Sequence, residues 1–246
     1  DRSLHVIETL HAQLPPEAAA ADDDRRPRQR DFFAYSFRGR WRATGPVVRL
    51  GHVHSAWGEL AGTASMAIIV GPQRSPRGFG VADARAVLRA VRHAVATAPG
   101  APIVTFLFCR GHASDIHEER AGLPRALAEC LRGLVAARLL GHPLLCVLGG
   151  GAYGAAYLTL AAPSHRVLAI RGTSVAPMAP RVLAAFQHLR GVRDAADTPP
   201  DLAELIPEIR IVESVVRLPR ALGEELAAAR DAVAVSGRRR WLYSAS

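Results

Sequence analysis

The stretch "GHPLLCVLGGGAYGAAYL", residues 141–158, places four glycines within six positions, Gly149, Gly150, Gly151 and Gly154, where an apolar run ends. Glycine exposes its backbone, so the chemistry on offer is that of bare amides. A helix that opens after a buried strand directs unpaired N–H groups beyond the strand end, and its dipole adds partial positive charge there. That combination would hold an oxyanion or a phosphate oxygen. Close helix–sheet packing would use the same small residues, Gly154, Ala155 and Ala156. A dinucleotide site is the weaker reading. Gly149, Gly151 and Gly154 fit G-x-G-x-x-G, but the next strand-like run, "HRVLAI", is followed by Arg171 and Gly172 and not by an acidic residue. A G-x-S-x-G nucleophile elbow is excluded, because no Ser occurs from residue 115 to residue 163.

Other side chains invite chemistry with less support. His112 and His117 lie between an apolar run and a long helical pattern, so they could reach a site at the strand ends, where α/β sheets bind ligands. His52 and His54 of "GHVHS" would share one face of a strand; no third ligand is evident, and no metal is expected. His142 in "GHP" reads as a helix-end residue favoured by the dipole, and His165 and His188 read as surface. Cys109, Cys130 and Cys146 sit in apolar context and read as buried free thiols of a reducing compartment.

The elements that would position these groups alternate from about residue 46. "PVVRLGHVHS" and "TASMAIIVG" read as strands, and "VADARAVLRAVRHAVATA" as a helix with Val87, Leu88, Val91 and Val95 on one face. "PIVTFLFC" and "LLCVL" are fully apolar runs of strand length, the pattern of a sheet covered on both sides. Between them Leu123, Leu127, Leu131, Leu134 and Arg138 keep helical spacing, and Gly141 and Pro143 stop that helix. A small-residue helix to about Ala162 follows the glycine cluster, then the strand "HRVLAI". The class is therefore α/β. Residues 192–201 form a polar, Pro-rich break, and "PRALGEELAAARDAVAV" reads as a further helix. Residues 1–45 read as an extension and linker, and residues 46–246 as one domain. "DFFAYSFRGRWRATG" and the C-terminal "GRRRWLYSAS" interleave arginine with aromatics. An edge strand or docking segment and a frayed tail are favoured over nucleic-acid binding.

Composition narrows the functional classes. The chain has 246 residues, 49% of them hydrophobic, and a net charge of +9. All 31 basic residues are Arg, so a Schiff-base lysine, a phosphate-loop lysine and a biotinyl-lysine are excluded on this chain. Arg suits paired recognition of carboxylate and phosphate. No apolar stretch reaches the roughly 18 residues of a membrane span. The first residues lack a basic start followed by an apolar block, so they do not read as a secretory signal, and a cytoplasmic protein is expected.

The run "HEERAGLPRALAECLRGLVAARLLGHPLLCVLGGGAYGAAYLTLAAPSHRVLAIRGTSVAPM" resembles the gamma subunit of biotin-independent malonate decarboxylase. The likeness rests on a Glu-Glu pair before a Gly-aliphatic step, a helix, "GHP", a Gly-rich turn, small residues, an R-x-x-A strand and Met178 in a V-x-x-M setting. "SMAIIVGPQRSPRGFGVADARAVLRAV" is similar to the upstream strand and helix, and the resemblance covers roughly residues 46–215. It implies a crotonase-like spiral of ββα units, a homologous beta subunit, and a malonyl thioester on the phosphopantetheine arm of an acyl carrier protein. The complex would release carbon dioxide and leave an acetyl thioester, with no biotin and no cofactor on this chain. An oxyanion pocket is then expected at Gly150, Gly151, Gly154 and Ala155, where fixed N–H donors would stabilise the enolate. Glu118 and Glu119 match the family's acidic pair, or serve only as carboxylates near a helix N-terminus. Arg120 would orient a carboxylate or pair with Glu, and His117 or His112 would protonate the enolate carbon. Tyr153 stands where that family usually has Ser, so its phenol would either fill substrate space or donate a hydrogen bond. The Arg-rich surface would suit an acidic carrier protein or the phosphate of its arm. The alternative expectation is a non-catalytic crotonase-like scaffold that binds partner subunits.

Overall fold

The computed structural model describes residues 41–71, 78–109, 111–113, 115–149, 151–176 and 208–244. In chain order the strands are β1 (Trp41–Ala43), β2 (Val48–Leu50), β3 (Val53–Leu60), β4 (Thr63–Val70), β5 (Ile103–Leu107), β6 (Leu144–Leu148), β7 (Gly151–Tyr153), β8 (Arg166–Ile170), β9 (Ser174–Ala176) and β10 (Ile209–Val212). The α-helices are α1 (Val81–Thr97), α2 (Ile116–Arg120), α3 (Leu123–Leu139), α4 (Gly154–Ala161) and α5 (Leu218–Ser244). β1 and β2 both pair antiparallel with β3, and β3 with β4. From β4 the main sheet runs parallel in the order β4-β5-β6-β8-β10.

The central parallel strands β5 and β6 are buried at every residue because both faces are covered. Met66, Ile68 and Val70 of β4, Ile103 and Leu107 of β5, and Leu144, Cys146 and Leu148 of β6 pack under α1, α3 and α4. The alternate residues, Ala67, Ile69, Val104, Phe106, Leu145 and Val147, pack with Leu218, Leu222 and Leu226 of α5. Each fully buried aliphatic side chain contributes about 1.5–3 kcal/mol, so the two layers hold the sheet from either side.

A second, smaller set of pairings follows the main strands. After β4 comes Phe79, then α1; after β5 comes His112, then α2 and α3; after β6 comes β7, then α4; after β8 comes β9. Phe79 and His112 form a parallel bridge, with the Phe79 N–H donating to Gly111 at 2.8 Å and the Ala113 N–H to Phe79 at 2.9 Å. β7 and β9 also pair parallel. The recurring strand, short strand, helix order is the ββα spiral the sequence led us to expect.

Three expectations change. "PVVRLGHVHS" is two strands, because the chain turns at Gly51–His52, where Asp83 Oδ1 accepts the His52 N–H at 3.2 Å. His52 therefore lies in the turn and does not share a strand face with His54. The glycine cluster does not open a helix at once, since β7 intervenes and moves the start of α4 onto the second set of pairings. The C-terminal "GRRRWLYS" continues α5 as helix through Ser244 and is not a frayed end. Among the described residues the sheet begins at Trp41; residues 1–40, the break at 192–201 and Met178 lie outside the described residues.

Candidate functional site

The segments that leave the C-terminal ends of β5 and β6 meet at His112. Its Nδ1 accepts the Ala155 N–H at 3.3 Å, so a ring on one segment caps the first turn of the helix on the other. The residue before α4, Tyr153, makes no side-chain cap bond of its own. Because the donor is a backbone N–H, Nδ1 carries the lone pair. Burial holds the imidazole below its ordinary pKa, while the charge of Glu119 draws it partly back. The ring is then neutral near pH 7, with its proton on Nε2 as a remaining donor.

Close approach and backbone conformation account for two of the cluster's glycines. Gly149 lies under the Phe108 ring, and any side chain there would overlap it. Gly154 opens α4 with φ +60°, a conformation L side chains rarely adopt. Gly151 stands in β7 opposite Ser174 of β9. Ala155, an expected oxyanion donor, instead gives its amide to His112, and Gly150 lies outside the described residues. Tyr153 is half-buried beside Gly111; a Cβ on that glycine would come within 3.2 Å of the Tyr153 carbonyl oxygen.

The acidic pair divides. Asp115 caps α2, accepting the N–H groups of His117 at 2.8 Å and Glu118 at 3.0 Å. Glu118 reaches across to α1, where its Oε2 accepts the Val81 N–H at 2.7 Å. It thus sits at a helix N-terminus, as the plainer expectation had it, but at the terminus of another helix than its own. The contact is close, since a Cβ on Gly80 would lie 2.9 Å from either Glu118 oxygen. Glu119 is half-buried on the His112 side, whereas His117 and Arg120 are exposed. Arg120 forms no ion pair among the described residues.

Several supporting residues escaped sequence reasoning. Asp83 is buried and accepts the Gly80 N–H at 3.1 Å, reaching back to the residue that precedes α1; an acid in a first helical turn was its only signal. His142 does stand at the end of α3, its N–H donating to the Ala137 carbonyl at 3.0 Å, but its ring is buried and its Nδ1–H donates to the Ala101 carbonyl at 2.8 Å. His165 is not plain surface either, since its Nδ1 accepts the Leu144 N–H at 3.0 Å, and burial first, then Arg138 and Arg166, lowers its pKa to about 4. The three cysteines are buried, and burial pushes each thiol up to about 12, so none is a thiolate near pH 7. Among the described residues no group of three or more His, Cys, Asp or Glu gathers to hold a metal, and no helix is long and apolar enough to cross a membrane.

A parallel sheet whose strands are followed by short paired segments and helices is a crotonase-like carboxyltransferase fold. The solved geranyl-CoA carboxylase beta subunit of P. aeruginosa shares it, with a TM-score of 0.60 at 17% identity over 92% of this chain and 45% of that one. The malonate decarboxylase gamma subunit family, MdcE, matches residues 75–234, and the chain belongs to that family. It is similar to a subunit of the Pseudomonas malonate decarboxylase hetero-tetramer solved with malonate, 25% identical over 87% of this chain and 98% of that one, with a TM-score of 0.62. The Pseudomonas MdcD–MdcE hetero-dimer gives a TM-score of 0.64 at 24% identity, covering 89% of this chain and 100% of that one. No curated protein matches the chain.

Proposed function

We propose that this chain works with a homologous beta subunit to decarboxylate a malonyl thioester carried by the phosphopantetheine arm of an acyl carrier protein. The observation that carries the reading is the match to a malonate decarboxylase subunit over nearly its whole length. In the step itself the bond between the carboxylate and the methylene carbon breaks. Carbon dioxide leaves, and the electron pair moves onto the thioester oxygen as an enolate. The backbone N–H groups of Gly150, Gly151 and Gly154 are the candidate donors to that oxygen. Because Ala155 is engaged by His112, the His112 Nε2–H takes its place as a donor in this reading. A neutral imidazole suits that task, since it donates a hydrogen bond without carrying a charge that would bind the substrate carboxylate. The new C–H bond takes its proton from solvent, with exposed His117 as the candidate relay. No step calls on biotin or on another cofactor of this chain, and the cytoplasm suits a carrier-bound substrate.

A scaffold role is favoured by one observation, the engagement of the Ala155 amide beside a half-buried Tyr153. Carbon dioxide release from malonyl thioester separates the two. Release that requires both subunits supports the decarboxylase. A stable two-subunit complex with no release from carrier-bound or coenzyme A-bound malonyl groups leaves the scaffold.

A further inference from the structure

The protein treats arginine differently on its two flanks. Around β8, β10 and α5, Arg166, Arg171, Arg210 and Arg220 each pair with Glu213, Glu224 or Glu225. On α1, Arg85, Arg89 and Arg92 are exposed at i, i+4 and i+7, while Ala84, Val87, Leu88 and Val91 face the core. None of these three guanidiniums forms an ion pair with any described residue. α3 packs alongside and adds exposed Arg125 and Arg132. Glu129 answers this group alone among the described residues of the two helices. It accepts from Arg125 at 2.9 Å, and that hydrogen bond first, then the charges of Arg125, Arg132 and Arg85, holds its carboxyl low.

Like charges at i, i+4 are unfavourable on an isolated helix, so this row gains nothing for the fold. The face also exposes Val135 and Leu139 of α3, 39% and 55% accessible, one and two turns beyond Arg132. Arginine is enriched at protein interfaces, and the two exposed aliphatic side chains add apolar area beside it. Neither helix contains Phe, Tyr or Trp, and the single aromatic ring on them, His93 of α1, is already packed against Trp57 with ring centroids 6.5 Å apart. The row also starts at the site. α1 begins at Val81 on the Glu118 carboxylate, two residues beyond the Phe79–His112 bridge. Arg85, Arg89 and Arg92 follow at about 6, 12 and 16 Å along the axis.

We infer that the α1–α3 face docks a carboxylate-rich protein surface, and, resting on the carrier reading above, that the acyl carrier protein is its occupant. The test measures binding of holo acyl carrier protein to the two-subunit complex at about 50 and 200 mM salt, with R85E/R89E/R92E and R85A/R89A/R92A beside the unaltered complex. The expected result is binding that weakens with salt and falls roughly tenfold or more in both variants, with unchanged circular dichroism. Turnover of malonyl-coenzyme A, which needs no carrier docking, is expected to stay at the unaltered level in both. Carrier affinity unchanged in the Ala variant overturns the inference, and so does an unaltered complex that does not bind carrier. Salt-sensitive binding of a single-stranded oligonucleotide that the variants lose, without any loss of carrier binding, overturns it in favour of a polyanion. Malonyl-coenzyme A turnover absent from every sample counts against the decarboxylase reading, while the binding data still decide the docking face.

Discussion

His112, Glu118 and His165 are each held by a backbone N–H from another segment, and each carries a different consequence. For Glu118 the contact separates positioning from chemistry. Its amide counterpart still offers an oxygen to Val81. Glu118→Gln is therefore expected to keep melting temperature and turnover near the unaltered values, whereas Glu118→Ala loses about 1–2 kcal/mol of stability by thermal melts. Turnover abolished in Glu118→Gln at an unchanged melting temperature would return the carboxylate to a chemical role. For His165 the consequence is a pH window. Its folded pKa lies near 4 against an ordinary 6.5, so below 6.5 the unfolded chain takes up a proton that the folded chain refuses. Stability at this residue is complete above pH 6.5 and falls as pH drops toward 4. His165→Asn keeps an acceptor for Leu144 but does not titrate, and melts between those pH values should show a shallower decline. His112, also lowered by burial, adds to the same decline. None of these contacts was legible in the sequence, because each joins segments more than twenty residues apart with no local pattern.

At the scale of elements, α4 is held at both ends by parts of the preceding unit. His112 takes an amide of its first turn, and Arg138 of α3 donates to the carbonyls of Pro163 and Ser164, just past its last turn, at 3.0 and 3.1 Å. Arg138→Ala is expected to destabilise by about 1–3 kcal/mol, and Arg138→Lys to recover only part, because both hydrogen bonds leave one nitrogen, Nη1, held in place by the planar guanidinium, and a flexible, more strongly hydrated ammonium loses more freedom to make them. Unfolding in denaturant measures both. On the other face, Leu222→Ala in α5 should cost about 2–5 kcal/mol, since Leu222 is fully buried against the sheet. The sheet and the long helices were readable in advance for the same reason that these side chains matter. Runs such as "IVTFL" and "LLCVL" are apolar on both faces, and α1 and α3 repeat at helical spacing. β7 was not readable, because three residues, Gly-Ala-Tyr, carry no periodicity and acquire a strand only through β9. The turn at Gly51–His52 was hidden in a continuous β-prone run and is secured by the distant Asp83. The glycine cluster marked the C-terminal end of β6, but which amides are engaged depends on His112, more than forty residues away.

For the molecule as a whole, membership of the malonate decarboxylase gamma subunit family brings the proposed site and the arginine face into one account. Substrate would arrive on a carrier held along α1 and react where the segments after β5 and β6 meet. The central claim is that His112 presents a donor at that meeting point, and one substitution isolates it. In His112→Asn the side-chain oxygen can keep the Ala155 N–H that Nδ1 now accepts, while the more distant Nε2–H donor is lost. Steady-state release of carbon dioxide by the two-subunit complex is the measurement, with malonyl-coenzyme A as substrate. The account predicts kcat lower by on the order of a hundredfold, the scale of one lost oxyanion donor, with KM changed by less than about threefold. A kcat within about twofold of the unaltered complex would contradict it, because the donor deleted would then be one the reaction does not use.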